Sequence, residues 1–422
     1  MLSNYLKIAC KVFLRRKFFT FISLFAVSTT LVMLMVGAAI FDHVFGPSYP
    51  ETRADRTLMV SMIKASHSDN NHNNMGPTSY GFLDRYVRDL PHAEKVAIST
   101  HALLTLIQPV ISFHEGAQVT SYLKRTDSVF WEIIEADFLE GQPFSADDVE
   151  RGQPVAVINE ATRRGFFGQA SALGQSIEVS GQRFRIVGVV ANVPAFRLAS
   201  FADIWVPVTT IPDPKALSFT SITGGYEALI LAKTAADIPR IKEEFQYSLS
   251  QVEFPDPERF NTLTGGAETL FEGLSRFLMS DQMAESRPDR LLAVILVLVV
   301  LFMILPAISL ININVSRIME RASEIGVRKS FGAASTTLTG QFVVENVLLT
   351  LVGGLIGFGL TECVLYMLSS SYLIPYAEFH VNYRVFAYGL LMSMFFGVFA
   401  GVYPAWKMSR LHPVEALRRK VR

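Results

Sequence analysis

Residues Asn312–Gly359 read NINVSRIMERASEIGVRKSFGAASTTLTGQFVVENVLLTLVGGLIGFG, a short charged segment with apolar sequence on either side. Upstream, Leu291–Ile311 is an uncharged run of the length a bilayer crossing takes, ~20 residues. Downstream, Phe342–Thr361 is a second such run, with one carboxylate, Glu345, near its start. Between them stand Glu320, Arg321, Glu324, Arg328 and Lys329, interleaved with Ile325, Val327 and Phe331. Arg321–Glu324 and Glu324–Arg328 are spaced to pair on one helical face. The apolar residues supply a second face. The spacing therefore predicts a short two-faced helix pinned between two spans, suited to a rigid contact with a protein at the membrane surface.

The rest of the composition agrees with a membrane protein that carries a large soluble part. Half of the 422 residues are hydrophobic, less than a pure bundle would need. The formal net charge is zero, so no bulk field points to nucleic acid. The two cysteines, Cys10 and Cys363, both lie outside the long polar region that follows the first span. That region has no disulfide framework and must fold on its own core.

Two more apolar runs complete a set of four spans. Residues 18–41 exceed the ~7–15 apolar residues of a signal sequence, so they read as an uncleaved helix despite the small residues Gly37-Ala38-Ala39. The spans are then 18–41, 291–311, 342–368 and 385–406, with Pro306 expected to kink the second. Lysine and arginine set the direction. They crowd segment 1–17 (Lys7, Lys11, Arg15, Arg16, Lys17), the linker 312–341 and the tail 407–422, whereas the short loop 369–384 holds only Arg384. Those three segments are read as cytoplasmic and residues 42–290 as outside. In segment 1–17, Lys7, Lys11 and Arg15 recur beside an apolar stripe of Leu2, Leu6, Cys10 and Phe13. That suits either a helix lying on the inner membrane surface or a basic topogenic tail. Gly353 and Gly357 in the third span, and Ser393, Gly397 and Gly401 in the fourth, have the small-residue spacing that lets helices approach closely; packing within one subunit is the favoured reading. Glu362, near the outer end of the third span, reads as an interfacial carboxylate in contact with water.

The outer region reads as mixed α/β. Strands are expected at RTLMVSMI, EKVAIST, QVTSYLKRT, ADIWVPV and EALILAKT, and a hairpin at IEVSGQRFRIVGVV with Ser180-Gly181 at its turn. Ser79 is placed to cap one helix. Asp237 is placed to cap another, with Pro239 in its first turn.

The order ERASEIGVRKSFGA, QFVVEN, GG and G resembles the permease subunits of the MacB/FtsX family of ABC transporters. The outer fragments FLEGQPF, PVAVINE, FFG, ALGQSIEVSGQRFRIVGVV and IWVPV resemble that family's periplasmic core domain, and VYPAWKMSRLHPVEALR its ending. The likeness covers nearly the whole chain. It implies an α-helical membrane protein with four transmembrane helices and a large mixed α/β extracytoplasmic domain inserted between helices 1 and 2, with an insertion subdomain at about 112–220. It implies that 312–341 is the coupling segment, with Glu320, Arg321, Glu324, Ile325, Gly326, Arg328, Lys329, Phe331 and Gly332 docking on an ATPase. It further implies a bacterial inner-membrane location, a dimer with a second copy or a paralogue, a cytoplasmic ABC ATPase that holds the ATP and Mg, and room for a periplasmic adaptor. The output would be export of a peptide, drug or lipid-like substrate by mechanotransmission. A non-transporting FtsX-like regulator of an extracytoplasmic enzyme and a lipoprotein-releasing permease stay open as alternatives.

Direct chemistry finds no support in the residues. No G-x-x-x-x-G-K-[ST] loop occurs, and the glycine pair Gly168 and Gly174 lacks the following lysine, so ATP hydrolysis is expected in a separate subunit. His67, Asp69 and His72 in HSDNNHNN are of metal-ligating types, but the composition reads as a polar loop. No nucleophile signature of the G-x-S-x-G kind is present. Catalytic, cofactor and metal residues are therefore expected to be absent from this chain.

Overall fold

The computed structural model describes residues 11, 13–15, 17–68, 73–280, 285–320, 327, 331, 335–371 and 375–409. The chain divides into two compact units. One comprises Met1–Phe41, Ala293–Ser371 and Phe379–Arg422; the other comprises Asp42–Leu292 and Tyr372–Glu378.

The outer unit is built on strands β1 (Thr57–Val60), β2 (Met62–Ser66), β3 (Asn73–Pro77), β4 (Ala93–Thr100), β5 (Val110–His114), β6 (Ala117–Ser121) and β7 (Leu123–Thr126). They are followed by β8 (Phe138–Gly141), β9 (Val155–Asn159), β10 (Ser176–Val179), β11 (Gln182–Val190), β12 (Ile204–Pro207), β13 (Tyr226–Ala232) and β14 (Thr262–Gly265). Among the described residues, one mixed sheet runs β1-β13-β4-β7-β12-β9-β11-β10-β5-β6, with β8 also on β11, and a small sheet runs β14-β2-β3. Strand β13 reads YEALILA and every residue is buried, as suits a strand covered on both faces rather than an alternating edge. The β10–β11 hairpin turns through Ser180 and Gly181 at φ 51° and 74°, the pair of positive φ values that a type I′ turn requires.

The stretch RTLMVSMI is not one strand. Leu58 and Val60 are buried in β1, then Ile63 and Ala65 in β2, so the alternation slips by one residue at Ser61. The slip carries the chain from the large sheet into the small one.

Two helices cover one core. Tyr80–Tyr86 starts at Ser79, whose side chain accepts from the Phe82 amide. Ile238–Ser250 buries Ile241, Phe245 and Leu249 at i, i+4, i+8. Asp237 does not cap that helix. Its carboxylate accepts from the amide and hydroxyl of Thr234, closing a capping box on the preceding 3-10 turn. Pro239 stands in the first turn of the helix, where its missing amide hydrogen costs no intrahelical bond. A second core gathers around Trp205, Phe130 and Phe201, and a third around Phe184, Ile177 and Ile158. Burying one such large apolar side chain contributes about 1.5–3 kcal/mol.

Among the described residues, the other unit contains four long helices, Lys17–Phe45 (to Phe41), Pro288–Glu320 (from Ala293), Ser335–Ser370 and Tyr383–Ser409. Among the described residues, Lys17–Phe45 and Val343–Ser370 are long and apolar enough to cross a membrane. Pro288–Glu320 stays helical through Pro306. Close approach runs through glycine. A Cβ on Gly353 would stand 2.9 Å from Val27 Cγ1, and one on Gly357 3.1 Å from Ser28 O. Leu31, fully buried, lies beside Gly354 and Gly389. Small residues here let helix backbones touch, which is how helices associate where water supplies no driving force. Ser393 is half-buried, and the packing at Gly397 and Gly401 lies outside the described residues.

Candidate transmission site

No group of three or more His, Cys, Asp or Glu among the described residues is placed to hold a metal, and Asp69 and His72 lie outside them. The fold assembles a buried polar junction around the loop Ala191–Asp203, between β11 and β12.

This loop has no regular secondary structure, yet Val193, Arg197, Ser200, Phe201, Ala202 and Asp203 are almost completely buried. A buried loop must find partners for its polar groups, because water cannot serve them. It finds them in two distant stretches of chain. The first is Gly46–Glu51, just after the helix Lys17–Phe45. Arg197 Nη1 donates to Gly46 O at 2.8 Å, Nη2 donates to Ser48 Oγ, and Nη1 lies 3.7 Å from Glu51 Oε2. The Ser200 amide and hydroxyl donate to Glu51 Oε1 at 3.1 and 2.7 Å. Burial pushes Glu51 above the usual carboxylate range and pulls Arg197 down, each partly offset by the other's charge.

The second stretch is Pro375–Glu378, which in sequence joins the helices Ser335–Ser370 and Tyr383–Ser409 and belongs to the outer unit. The Ala195 amide donates to Pro375 O at 3.0 Å, and Tyr376 Oη donates to Asp203 Oδ1 at 3.0 Å. Asp203 is an acceptor hub. Asn159 Nδ2 donates to its Oδ1 at 2.7 Å and the Tyr122 amide to its Oδ2 at 2.9 Å. Burial raises Asp203, against the pull of these donors, and burial followed by the Asp203 charge raises Tyr376, which keeps its hydroxyl a donor.

A separate charged cluster lies within the sheet. Lys124 and Glu227 are fully buried, and Lys124 Nζ donates to Thr100 O at 3.0 Å and Glu227 Oε1 at 3.4 Å. His101 Nε2 stands 3.9 Å from Glu227 Oε2. Burial lowers Lys124, offset in part by Glu227.

Of the charged segment between the helices Pro288–Glu320 and Ser335–Ser370, Val327 and Phe331 are described. The Phe331 amide donates to Val327 O at 3.2 Å, the i,i+4 spacing of a helical turn, and Phe331 is 88% exposed. Glu320 ends its helix; Arg321, Glu324, Ile325, Gly326, Arg328, Lys329 and Gly332 lie outside the described residues. Lys11, Phe13 and Arg15 of the N-terminal segment are helical, and Leu2, Leu6, Lys7 and Cys10 lie outside.

Sequence reasoning did not find Arg197, Asp203, Tyr376, Lys124 or Glu227. The available signal was a lone charge inside an otherwise apolar stretch, as in FRLASFADIW and EALILA.

Residues 20–247 match the model of the MacB-like periplasmic core domain, and residues 296–413 that of the FtsX-like permease C-terminal region. The chain is 25% identical over 323 residues to YknZ of Bacillus subtilis, an uncharacterized ABC transporter permease, covering 74% of this chain and 75% of that one. It is 26% identical over 304 residues to the macrolide export ATP-binding/permease protein MacB of Photorhabdus laumondii, and 28% over 284 residues to that of Bdellovibrio bacteriovorus. These matches cover 72% and 66% of this chain, which spans 44% and 41% of the two MacB proteins. Among solved structures, the extracellular domain of YknZ is similar with a TM-score of 0.36 at 14% identity, covering 49% of this chain and 98% of that one. The periplasmic region of MacB from Actinobacillus actinomycetemcomitans gives 0.33 at 14%, covering 46% and 83%.

Proposed function

Because this chain belongs to the family of ABC transporter permeases that join a MacB-like periplasmic core domain to an FtsX-like permease domain, we propose that it converts ATP hydrolysis on a partner subunit into movement of its outer domain. The four long helices serve as spans, with both termini and residues 312–341 cytoplasmic and 42–290 outside. The permease works as a dimer, and each copy engages one ATPase. The movement drives export of a peptide, drug or lipid-like substrate. A full core domain, rather than a short regulatory loop, favours export over the signalling role of an FtsX-like regulator.

The observation that carries this reading is Phe331. A large aromatic ring 88% exposed, in a charged segment between two long helices, is available to a groove on a partner. Charges at Glu324 and Arg328 would fix its register on the ATPase, and the helices on either side would carry the displacement outward.

The purified permease alone is expected to show no nucleotide-specific hydrolysis, and the copurified permease–ATPase complex to show it. In the complex, Phe331→Ala, or Glu324→Ala with Arg328→Ala, should lower ATPase activity or separate it from substrate output, since one well-packed interface residue contributes ~1–3 kcal/mol. Variants that assemble, hydrolyse ATP and deliver output at wild-type rates would reduce the segment to a connector.

A further inference from the structure

We propose that the buried loop Ala191–Asp203 is where helix movement enters the outer domain, and that Tyr376 is the positioning residue for one of its two inputs. This rests on the reading of the chain as a force-transmitting permease. It adds the outer end of the transmission path.

The argument starts from convergence. Gly46–Glu51 and Pro375–Glu378 are far apart in sequence and continue from different long helices. Both nevertheless fasten to the same loop, one through Arg197 and Ser200, the other through Ala195 and Asp203. A short connection between two spans could satisfy its polar groups with water alone. Here it does not. Tyr376 is held at φ 58°, a left-handed conformation that costs a non-glycine residue of order 1–3 kcal/mol and persists only where surrounding contacts impose it. Among the described residues, the contacts beside it are the Ala195–Pro375 and Tyr376–Asp203 hydrogen bonds and the packing of its ring on the core around Trp205.

What lies behind Asp203 explains why this grip transmits. Asp203 precedes β12, accepts from the amide just before β7, and accepts from Asn159 at the end of β9. Those three strands are neighbours in the large sheet, in the order β7-β12-β9. A displacement of Pro375–Tyr376 is thus delivered to the middle of the sheet and not to a surface loop. The Arg197 input differs in character: it is an ionic, multiply bonded anchor that resists sliding, whereas the Tyr376 input is one side-chain hydrogen bond, one backbone bond and packing of the ring against the core around Trp205. Two inputs of unequal stiffness on one loop convert relative movement of the helices into rotation of the loop, which neither input alone would do.

The test compares the copurified permease–ATPase complex, wild type and Tyr376→Phe, by hydrogen exchange in the nucleotide-free state and trapped with Mg-ATP and vanadate. The phenylalanine keeps the ring and removes only the hydroxyl. In the wild type, exchange across 193–203 should change on trapping. In Tyr376→Phe, exchange at 195 and 376–378 should rise about tenfold without nucleotide, the scale of one hydrogen bond to a charged acceptor. The trapping response across 193–203 should shrink, while ATPase rate and outer-domain melting temperature stay at wild-type values. Arg197→Lys, which keeps the charge and loses the planar fork, should diminish the same response without loosening 376–378.

A Tyr376→Phe complex whose trapping response equals that of the wild type overturns the proposal and leaves the transmission reading standing. A response that falls only in step with melting temperature makes Tyr376 a merely structural residue and also overturns it. A wild-type complex that hydrolyses ATP with no change anywhere in the outer domain sinks both.

Discussion

In the outer unit a lysine and a glutamate lie fully buried and bonded across the strand that separates theirs, β4 between β7 and β13, whereas in the membrane unit close helix contacts run through Gly353 and Gly357 and involve no charge. The contrast follows from solvent. A domain in water can exclude it from a core by burying apolar area, and then has hydrophobic free energy to offset a desolvated ion pair. Helices in lipid gain little from hiding apolar surface, so their association depends on van der Waals fit and hence on small residues.

The largest effect should come from breaking the buried pair. Lys124→Met leaves Glu227 without its cation and should destabilise the outer unit by about 3–5 kcal/mol, read by urea unfolding of the full chain in detergent. Adding Glu227→Leu should recover most of that loss, because an apolar pair needs no desolvation. If the double variant is as unstable as the single one, the pair is not the electrostatic unit described above.

A smaller effect, confined to the membrane unit, is expected at glycine. Gly357→Leu places side-chain atoms where Ser28 O and Leu31 already stand within 3.2 Å of a Cβ, and should cost about 1–3 kcal/mol in helix packing. The smallest change comes two residues on. A Cβ at Gly359 meets nothing within 4 Å, so Gly359→Ala should be neutral or stabilise the helix by roughly 0.5–1 kcal/mol. Thermal unfolding of the two variants side by side checks the pair. Equal destabilisation would mean that glycine in this helix serves something other than contact with the first helix.

Much of this architecture is legible in sequence because local patterns and long-range structure agree. The long apolar runs, the Ser180-Gly181 hairpin, the Ser79 cap and the i, i+4, i+8 stripe of Ile238–Ser250 each need only neighbours within one element. The misreadings occur where a second element intervenes. RTLMVSMI keeps its alternation until Ser61, where the chain changes sheets. Asp237 has the right chemistry for a cap but is taken by Thr234. The loop Ala191–Asp203 was illegible for a deeper reason. The side-chain bonds that tie it to Ser48, Glu51 and Tyr376 span 149 to 173 residues, its own sequence has no periodicity, and Tyr376 stands in a loop whose composition gives no reason to single it out.

The most direct test of the central claim is a distance. Spin labels on exposed outer-domain positions such as Glu178 and Tyr247, in a chain lacking Cys10 and Cys363, would be followed by pulsed electron resonance in the permease–ATPase complex, nucleotide-free and then trapped with Mg-ATP and vanadate. The account predicts that label separations between the two copies shift on trapping, and that Glu324→Ala with Arg328→Ala suppresses the shift. Unchanged separations in a complex that hydrolyses ATP normally would contradict it.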